Sequence, residues 1–461
     1  MFHCLDRTRL SLAMTLLCWG AFASPVLAAP VSLAESESSE RTYTVKLTVQ
    51  TEGAIRTTGG AGELVSLPLQ GAASFAFLER RLPSAGRDAL AFRSVREFTQ
   101  ARMQTRVDGF DTRASLPASS RVVVSSGSRE GVISYSMNTL LTRELVELIE
   151  LPADPLTLVA LLPTQDVKVG DSWDVSDWAL QMLSGIEAVS SAKMKGTVTS
   201  IDAGRAMIAI HGEIQGLRHG ARNKVQISGA VGVNLAASYV DEANLTYNVT
   251  SDPGSVSPGL QAKATITLSR GISSESGALT NDLLAKIPIS PPDAALGIFF
   301  DAGPWNARLK HSRNWHLFQA VFDREPGVAI LRLVHQGSLI AQCNLSPIPP
   351  VAPGEQTPLD QFEKDIRTAL GASLTEVTVR DNVPLADGRI LTRVFAKGNA
   401  KLADDKTIAM EWRYYICTDQ TGQRMSFVFA VEPSLAKGLG EGDRQLVESL
   451  QFLPPQQAQK P

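Results

Sequence analysis

Apolar and polar residues alternate with a period of two through much of the first half of the chain. Tyr43, Val45, Leu47 and Val49 alternate with Thr44, Lys46, Thr48 and Gln50, which predicts a strand buried on one face and wet on the other. Leu245, Tyr247 and Val249 alternate with Thr246, Asn248 and Thr250, and Ala262, Ala264, Ile266 and Leu268 repeat the pattern. Further strand-like runs lie at residues 122–124, 206–210 and 225–235, and Gly59-Gly60-Ala61-Gly62 reads as a turn between strands. One apolar face and one polar face argue for antiparallel sheet rather than doubly buried parallel sheet.

Two helices are predicted within this region. Leu141, Leu145, Leu148 and Ile149 form an amphipathic stripe, and Asp177 reads as the cap of a short helix starting at Trp178. Between them, residues 158–162, Pro163 and the turn Val169-Gly170-Asp171-Ser172-Trp173 read as packed loop. The composition then shifts to Ser, Gly, Asn and Pro, closing on Ile287-Pro288-Ile289-Ser290-Pro291-Pro292. This divides the chain into an antiparallel β-rich domain over 41–272, a partly extended linker over 273–296, and a second domain over 297–455.

The second domain has a different grammar. Strand runs at 315–322, 328–334 and 339–345 precede a proline-rich connection at 347–353. A helix follows, with Thr357 as N-cap, Pro358 first in the helix and Asp360 three residues after the cap. Leu359, Phe362, Ile366 and Leu370 line one face, and Gly371 ends it. Strands follow at 390–395, 408–417 and 425–431, the last two joined through Asp419-Gln420-Thr421-Gly422. Asp443 is read as the cap of a closing helix that turns Leu446, Val447 and Leu450 inward. The expected class is α+β, mostly β.

Residues 297–453 resemble the PsbP/Mog1-type α/β sandwich. The resemblance is carried by Pro358-Leu359-Asp360-Gln361-Phe362 after a proline-rich loop, Trp412-Arg413-Tyr414-Tyr415-Ile416 before a glycine hairpin, the run 425–431, and the terminal segment 443–450. The whole mature chain resembles secreted, uncharacterised proteins of planctomycete-type bacteria, through Leu161-Leu162-Pro163 with Val169-Gly170-Asp171-Ser172-Trp173 and through Ala341-Gln342-Cys343-Asn344. The PsbP/Mog1 resemblance implies an accessory binding module; neither resemblance supplies catalytic residues.

The N-terminus sets the expected destination. Arg7 and Arg9 precede thirteen apolar-rich residues at 10–22, too few for the about 20 needed to span a bilayer. Pro25, Val26 and Ala28 then suit a leader-peptidase site, with a competing cut after Ala23, so residues 1–28 read as a secretory signal peptide. Beyond residue 30 no apolar run approaches membrane-helix length. The expected location is exported, periplasmic or extracellular. Losing Asp6, Arg7 and Arg9 with the signal would take the formal charge of −3 to −4. No basic field marks a nucleic-acid binder. Of four cysteines, Cys4 and Cys18 would leave with the signal. Cys343 and Cys417 remain, either as one disulfide or as two buried thiols.

No constellation for catalysis or metal binding emerges. His211, His219, His311, His316 and His335 lack a helical zinc spacing. Asp171, Asp174 and Asp177 lack the order and glycine of a calcium loop, and read as turn and cap residues. Ser190-Ser191-Ala192-Lys193 and Ser434-Leu435-Ala436-Lys437 match a Ser-x-x-Lys spacing without its companion motifs. The segment 438–443, Gly438-Leu439-Gly440-Glu441-Gly442-Asp443, reads as a flexible turn, lacking a phosphate loop's Lys-Ser/Thr. Trp173, Trp178, Trp305, Trp315, Trp412 and Tyr414 are expected in cores, or lining an apolar pocket. The expectation is therefore an exported non-catalytic protein of binding or envelope assembly, with no cofactor, no metal, and an envelope protein or apolar ligand as partner. A carrier whose first sheet cups a lipid is the alternative, and an extracytoplasmic hydrolase the third reading.

Overall fold

The computed structural model describes residues 29–35, 38–58, 63–83, 88–401 and 406–454. The export signature at 1–28, the Gly59-Gly60-Ala61-Gly62 turn and part of the polar lead lie outside them. The chain is mostly β, in antiparallel sheets. Its first half runs β1 (Thr42–Thr58), β2 (Leu64–Arg81), β3 (Arg93–Val107), β4 (Phe110–Ser115), β5 (Val122–Ser128), β6 (Gly131–Tyr135), β7 (Leu141–Thr142), α1 (Arg143–Leu148), α2 (Pro155–Ala160), β8 (Ser172–Asp174), α3 (Asp177–Ser184), β9 (Ala188–Asp202), β10 (Arg205–Arg218), β11 (Ala221–Asn234), β12 (Tyr239–Ser251) and β13 (Gly259–Ser273).

All of these strands except β7 join one twelve-stranded sheet, ordered β6-β5-β3-β2-β1-β13-β12-β11-β10-β9-β8 with β4 beside β3. The period-two pattern sets its faces: Tyr43, Val45 and Leu47 are fully buried while Thr44, Lys46 and Thr48 are exposed. Helices α1 to α3 pack against the inner face, where Leu148, Leu156, Leu158, Leu180 and Met182 share one core with Leu47, Ile208 and Ile266.

Three local readings change. Residues 158–162 fall largely in α2, not in a loop; Asp154 caps it by accepting from the Leu156 amide at 2.9 Å. Pro155 through Leu158 are all buried, so the helix shows no polar face and hence no amphipathic period. Leu141 leaves the helical stripe for β7, and the Thr142 hydroxyl caps α1 instead. Asp177 is the first residue of α3, with Ser176 in the cap position.

The second half begins with α4 (Asn281–Ala285) and α5 (Asp293–Leu296). Leu279 before them is fully buried, in a small core with Leu82, Val95, Val124 and Tyr135 of the first half, so the proline-containing segment is tied down against the large sheet. Next come β14 (Ile298–Ala302), β15 (Ala307–His311), β16 (Trp315–Val321), β17 (Val328–His335), β18 (Ser338–Ile348), α6 (Leu359–Leu370), β19 (Leu374–Pro384), β20 (Ile390–Lys401), β21 (Thr407–Thr418), β22 (Arg424–Val431), α7 (Ala436–Leu439), α8 (Gly442–Glu448) and β23 (Gln451–Phe452). A seven-stranded sheet runs β16-β17-β18-β22-β21-β20-β19, and a four-stranded sheet runs β23-β15-β14-β7. In the latter, β7 of the first half lies parallel to β14.

Helix α6 lies over β19 and β20, with Phe362 edge-on to Tyr414. It starts one residue later than the sequence suggests: Pro358 takes the cap position, and the Thr357 hydroxyl accepts from Arg424 at 3.2 Å. Asp443 is not a cap. It sits in the first turn of α8 behind Glu441, buried, accepting from the Tyr415 hydroxyl at 2.6 Å and from Arg413 at 3.1 Å. Cys343 on β18 and Cys417 on β21 are free buried thiols. With β22 between them, two interstrand spacings of about 4.8 Å exceed the Cα reach of a disulfide. No described helix is long and apolar enough to cross a membrane.

Candidate functional site

The chemistry-bearing motifs do not converge. Asp171 closes a turn by accepting from the Lys168 amide at 3.0 Å, Asp174 is exposed on β8, and Asp177 lies in the first turn of α3. Ser190 and Lys193 are both exposed on strand β9, which is irregular at Ser190. Ser434 and Lys437 are both exposed around the start of α7, and the segment from Gly438 spans the end of α7 and the start of α8. Among the described residues no three His, Cys, Asp or Glu side chains group as metal ligands. His211 and His335 are exposed, whereas His219, His311 and His316 gather where the two halves meet. The aromatics are dispersed in packing roles. Trp173 donates to the Leu161 carbonyl at 3.0 Å, Trp178 stacks on Phe92, Trp305 meets Phe322 and Trp315 meets Phe429.

An ionic cluster in the first core was not foreseen. Arg96, with no exposed side-chain area, binds Glu79 at 3.0 Å and both oxygens of Asp154 at 2.6 Å. Arg270, equally buried, reaches Glu35 at 2.7 Å and Glu79 at 3.3 Å, and its guanidinium lies 3.7 Å from the Tyr43 ring centre. Arg81 adds a contact to Glu35 at 2.8 Å. Three cations thus meet three carboxylates, which keeps the buried group neutral. Burial alone would raise the Glu79 carboxyl, but Arg81, Arg96 and Arg270 outweigh it and hold the group down to about 2. The cluster was readable in part: Glu79 continues the inward phase of Phe75 and Phe77, and Arg270 that of Ile266 and Leu268. It is buried and ties together β2, β3, β13 and the start of α2.

The accessible feature lies at the other end of the same strands. Beyond Val49, β1, β2 and β13 run on past the helices, an overhang of about 26 Å from Val49 to Thr57. Cross-strand pairing puts Ile55 opposite Leu67 and Leu260, and Gly53 opposite Leu69 and Ala262, with Val107 facing Leu69 from β3. These side chains share the face that carries the core further along, are half-buried, and belong to no core cluster. The opposite face carries Gln50, Glu52, Gln70, Gln104, Arg106 and Lys263. At the tip, Phe110 of β4 is 77% exposed opposite Val107.

Where the covered sheet gives way to the overhang there is a cavity of about 330 Å³. Tyr247, Val249 and Ala264 of the inner face form one wall; Leu151, Pro152, Met182 and Ile186 form the other. Its rim carries the ion pair Arg218–Glu150 at 2.7 Å. Mostly apolar walls with a few polar rim groups suit an apolar ligand. The inner-face phase of Ala262 and Ala264 was legible in the strand alternation. What could not be read is that the helices stop short of it.

No family model matches the chain, and no curated protein matches it. Among solved structures, cyanobacterial PsbP from Synechocystis sp. PCC 6803 is similar at 14% identity over 35% of this chain and 97% of that one, with a TM-score of 0.26. Lipovitellin is similar at 9% identity over 52% of this chain and 26% of that one, with a TM-score of 0.29. The Pseudomonas aeruginosa protein OccK5 (OpdH) is similar at 7% identity over 86% of this chain and 98% of that one, with a TM-score of 0.14.

Proposed function

We propose that this is an exported, non-catalytic binding protein whose large sheet holds an apolar ligand, a lipid acyl chain or similar hydrocarbon, against the inner face of its overhang. One observation carries the reading. Ile55, Leu67, Leu69, Val107 and Leu260 form an apolar platform that no described helix covers, continuous with the apolar wall of the 330 Å³ cavity. A contiguous apolar surface that is only half-buried is costly in water and suits a binding surface. Export is supported by the signal-like residues 1–28, and the PsbP/Mog1-like character of the second half by its order of strands and helices. Both belong to the proposal.

The test is extraction of the protein purified from its native host, with mass spectrometry of retained lipids, alongside titration with a fluorescent fatty acid. Retained lipid and saturable binding that Leu69→Glu and Leu260→Glu abolish are expected. Absence of both retained lipid and saturable binding overturns the reading.

A second reading, docking of an envelope protein, is favoured by β16. It is an edge strand of the seven-stranded sheet, with Leu317 and Phe318 41% and 44% exposed. Edge strands with exposed apolar side chains are templates for strand addition. Cross-linking from Phe318 to a specific protein, without lipid retention, would favour it over the first.

A further inference from the structure

Beside the β7–β14 ladder and the Leu279 core, the two halves meet at a polar junction that contains three histidines. Arg143, the residue after β7, donates to the carbonyls of Arg313 and Trp315 at 2.5 and 2.7 Å. Arg313 reaches back to the Ser134 carbonyl at 2.7 Å. Glu187 accepts from the His219 amide at 2.9 Å in the β10–β11 turn, and from the Gly337 amide at 2.7 Å in the β17–β18 turn. At the centre the rings of His219 and His316, one from each half, lie 4.7 Å apart. His311 is buried behind them, its Nδ1 against the Ser312 carbonyl at 2.8 Å.

We propose that this junction is an acid-sensitive latch: neutral His219 and His316 hold it closed, and their protonation opens it about the β7–β14 ladder, which stays paired while each half stays folded. The charges facing the pair favour the neutral state. His316 faces Arg143 from α1, Arg218 from the end of β10, His219 from the β10–β11 turn and His311 from β15, with Arg332 opposite His316 on β17. His219 faces Arg218 and Arg143, and is opposed by the carboxylates of Glu187 and Glu150. Protonating both rings would place two cations in contact beside two arginines.

The direction follows. Burial, aided by Arg143, pushes His316 down to about 3; burial also pushes His311 down to about 4 and lowers His219. Depressed histidines leave the closed junction intact above their ordinary value near 6.5. As pH falls below that value the open form takes up protons that the closed form excludes, so the latch weakens progressively toward pH 4. The Glu79 cluster of the first core, held to about 2, responds only in stronger acid.

Small-angle scattering of the full mature chain from pH 7.5 to 4.5, with far-UV circular dichroism in parallel, tests the latch. The expected result is a larger radius of gyration below pH 6 with unchanged dichroism. A His219→Gln/His316→Gln variant should stay compact at pH 4.5, and His316→Lys should be extended already at pH 7.5. If the double variant does not fold, hydrogen exchange of the wild type at residues 217–220 and 336–338 replaces it, with acid-induced loss of protection confined to these turns expected. A wild-type profile unchanged to pH 4.5, expansion accompanied by lost dichroism, or a double variant that expands like wild type overturns the proposal.

Discussion

Replacing Arg96 with Met tests whether the first core depends on its buried charges. The aliphatic stem is largely preserved, so packing changes little, while the guanidinium that binds Glu79 and Asp154 is lost. Asp154 then has no cation, and Glu79 keeps only Arg270 at 3.3 Å and the more distant Arg81. Breaking a buried pair from one side costs about 3–5 kcal/mol, because a charge is left without compensation. With a urea dependence near 3 kcal/mol per M for a large domain, the midpoint should fall by about 1–1.7 M. Urea unfolding followed by far-UV circular dichroism measures this. Glu79→Gln/Arg96→Met/Asp154→Asn removes the orphaned charges and should recover most of the loss. A midpoint shift under about 0.3 M, or a triple variant as unstable as the single one, would refute the reasoning.

Three further outcomes are expected. Glu79 ionises with a value of about 2 in the folded chain against 4.5 when unfolded, so its contribution is complete above pH 4.5 and disappears as pH falls toward 2. That is a loss of roughly 3 kcal/mol, visible as a falling melting temperature in thermal scans across this window. Tyr415→Phe removes the 2.6 Å hydrogen bond to the buried Asp443 carboxylate and should destabilise the second half by about 1.5–3 kcal/mol, measured by urea unfolding. Cys343 and Cys417 should resist a disulfide reagent in the native protein and both react after unfolding, because burial raises both thiols and no bridge joins them.

The sequence was legible where one physical signal dominated. Strands β1, β12 and β13 stood out because a sheet wet on one side writes its geometry directly as alternation. Helix α2 was hidden for the opposite reason: between Asp154 and Pro163 it is buried all round, so it has no polar face to mark a turn of 3.6 residues. Asp443 looked like a helix cap because an acidic residue before Leu446 and Val447 satisfies that local rule. Its partners Arg413 and Tyr415 are about 30 residues away in sequence, on a strand that only tertiary folding brings near. Of the platform, only the neighbouring alternation of Ala262, Ala264, Ile266 and Leu268 was read from the sequence; strand β2 with Leu67 and Leu69 was not. The platform's lack of cover depends on where α1 to α3 end in space, which no local pattern encodes.

The centre of the large sheet is its most distant junction in sequence. Strands β1 and β13 lie side by side, with Thr42 opposite Ser273, whereas nearly every other pairing in the sheet joins strands that are close neighbours along the chain. The sheet is therefore two meanders, β1 to β6 and β8 to β13, zipped along one seam. Until the seam closes, each meander presents an open edge of more than a dozen residues. The seam carries the loop-closure entropy of over 200 intervening residues, so it is the slow and aggregation-exposed step of folding. A chain cut short before Gly259 leaves β1 paired with β2 but without β13 on its other edge, and that unsatisfied edge would be the middle of the native sheet.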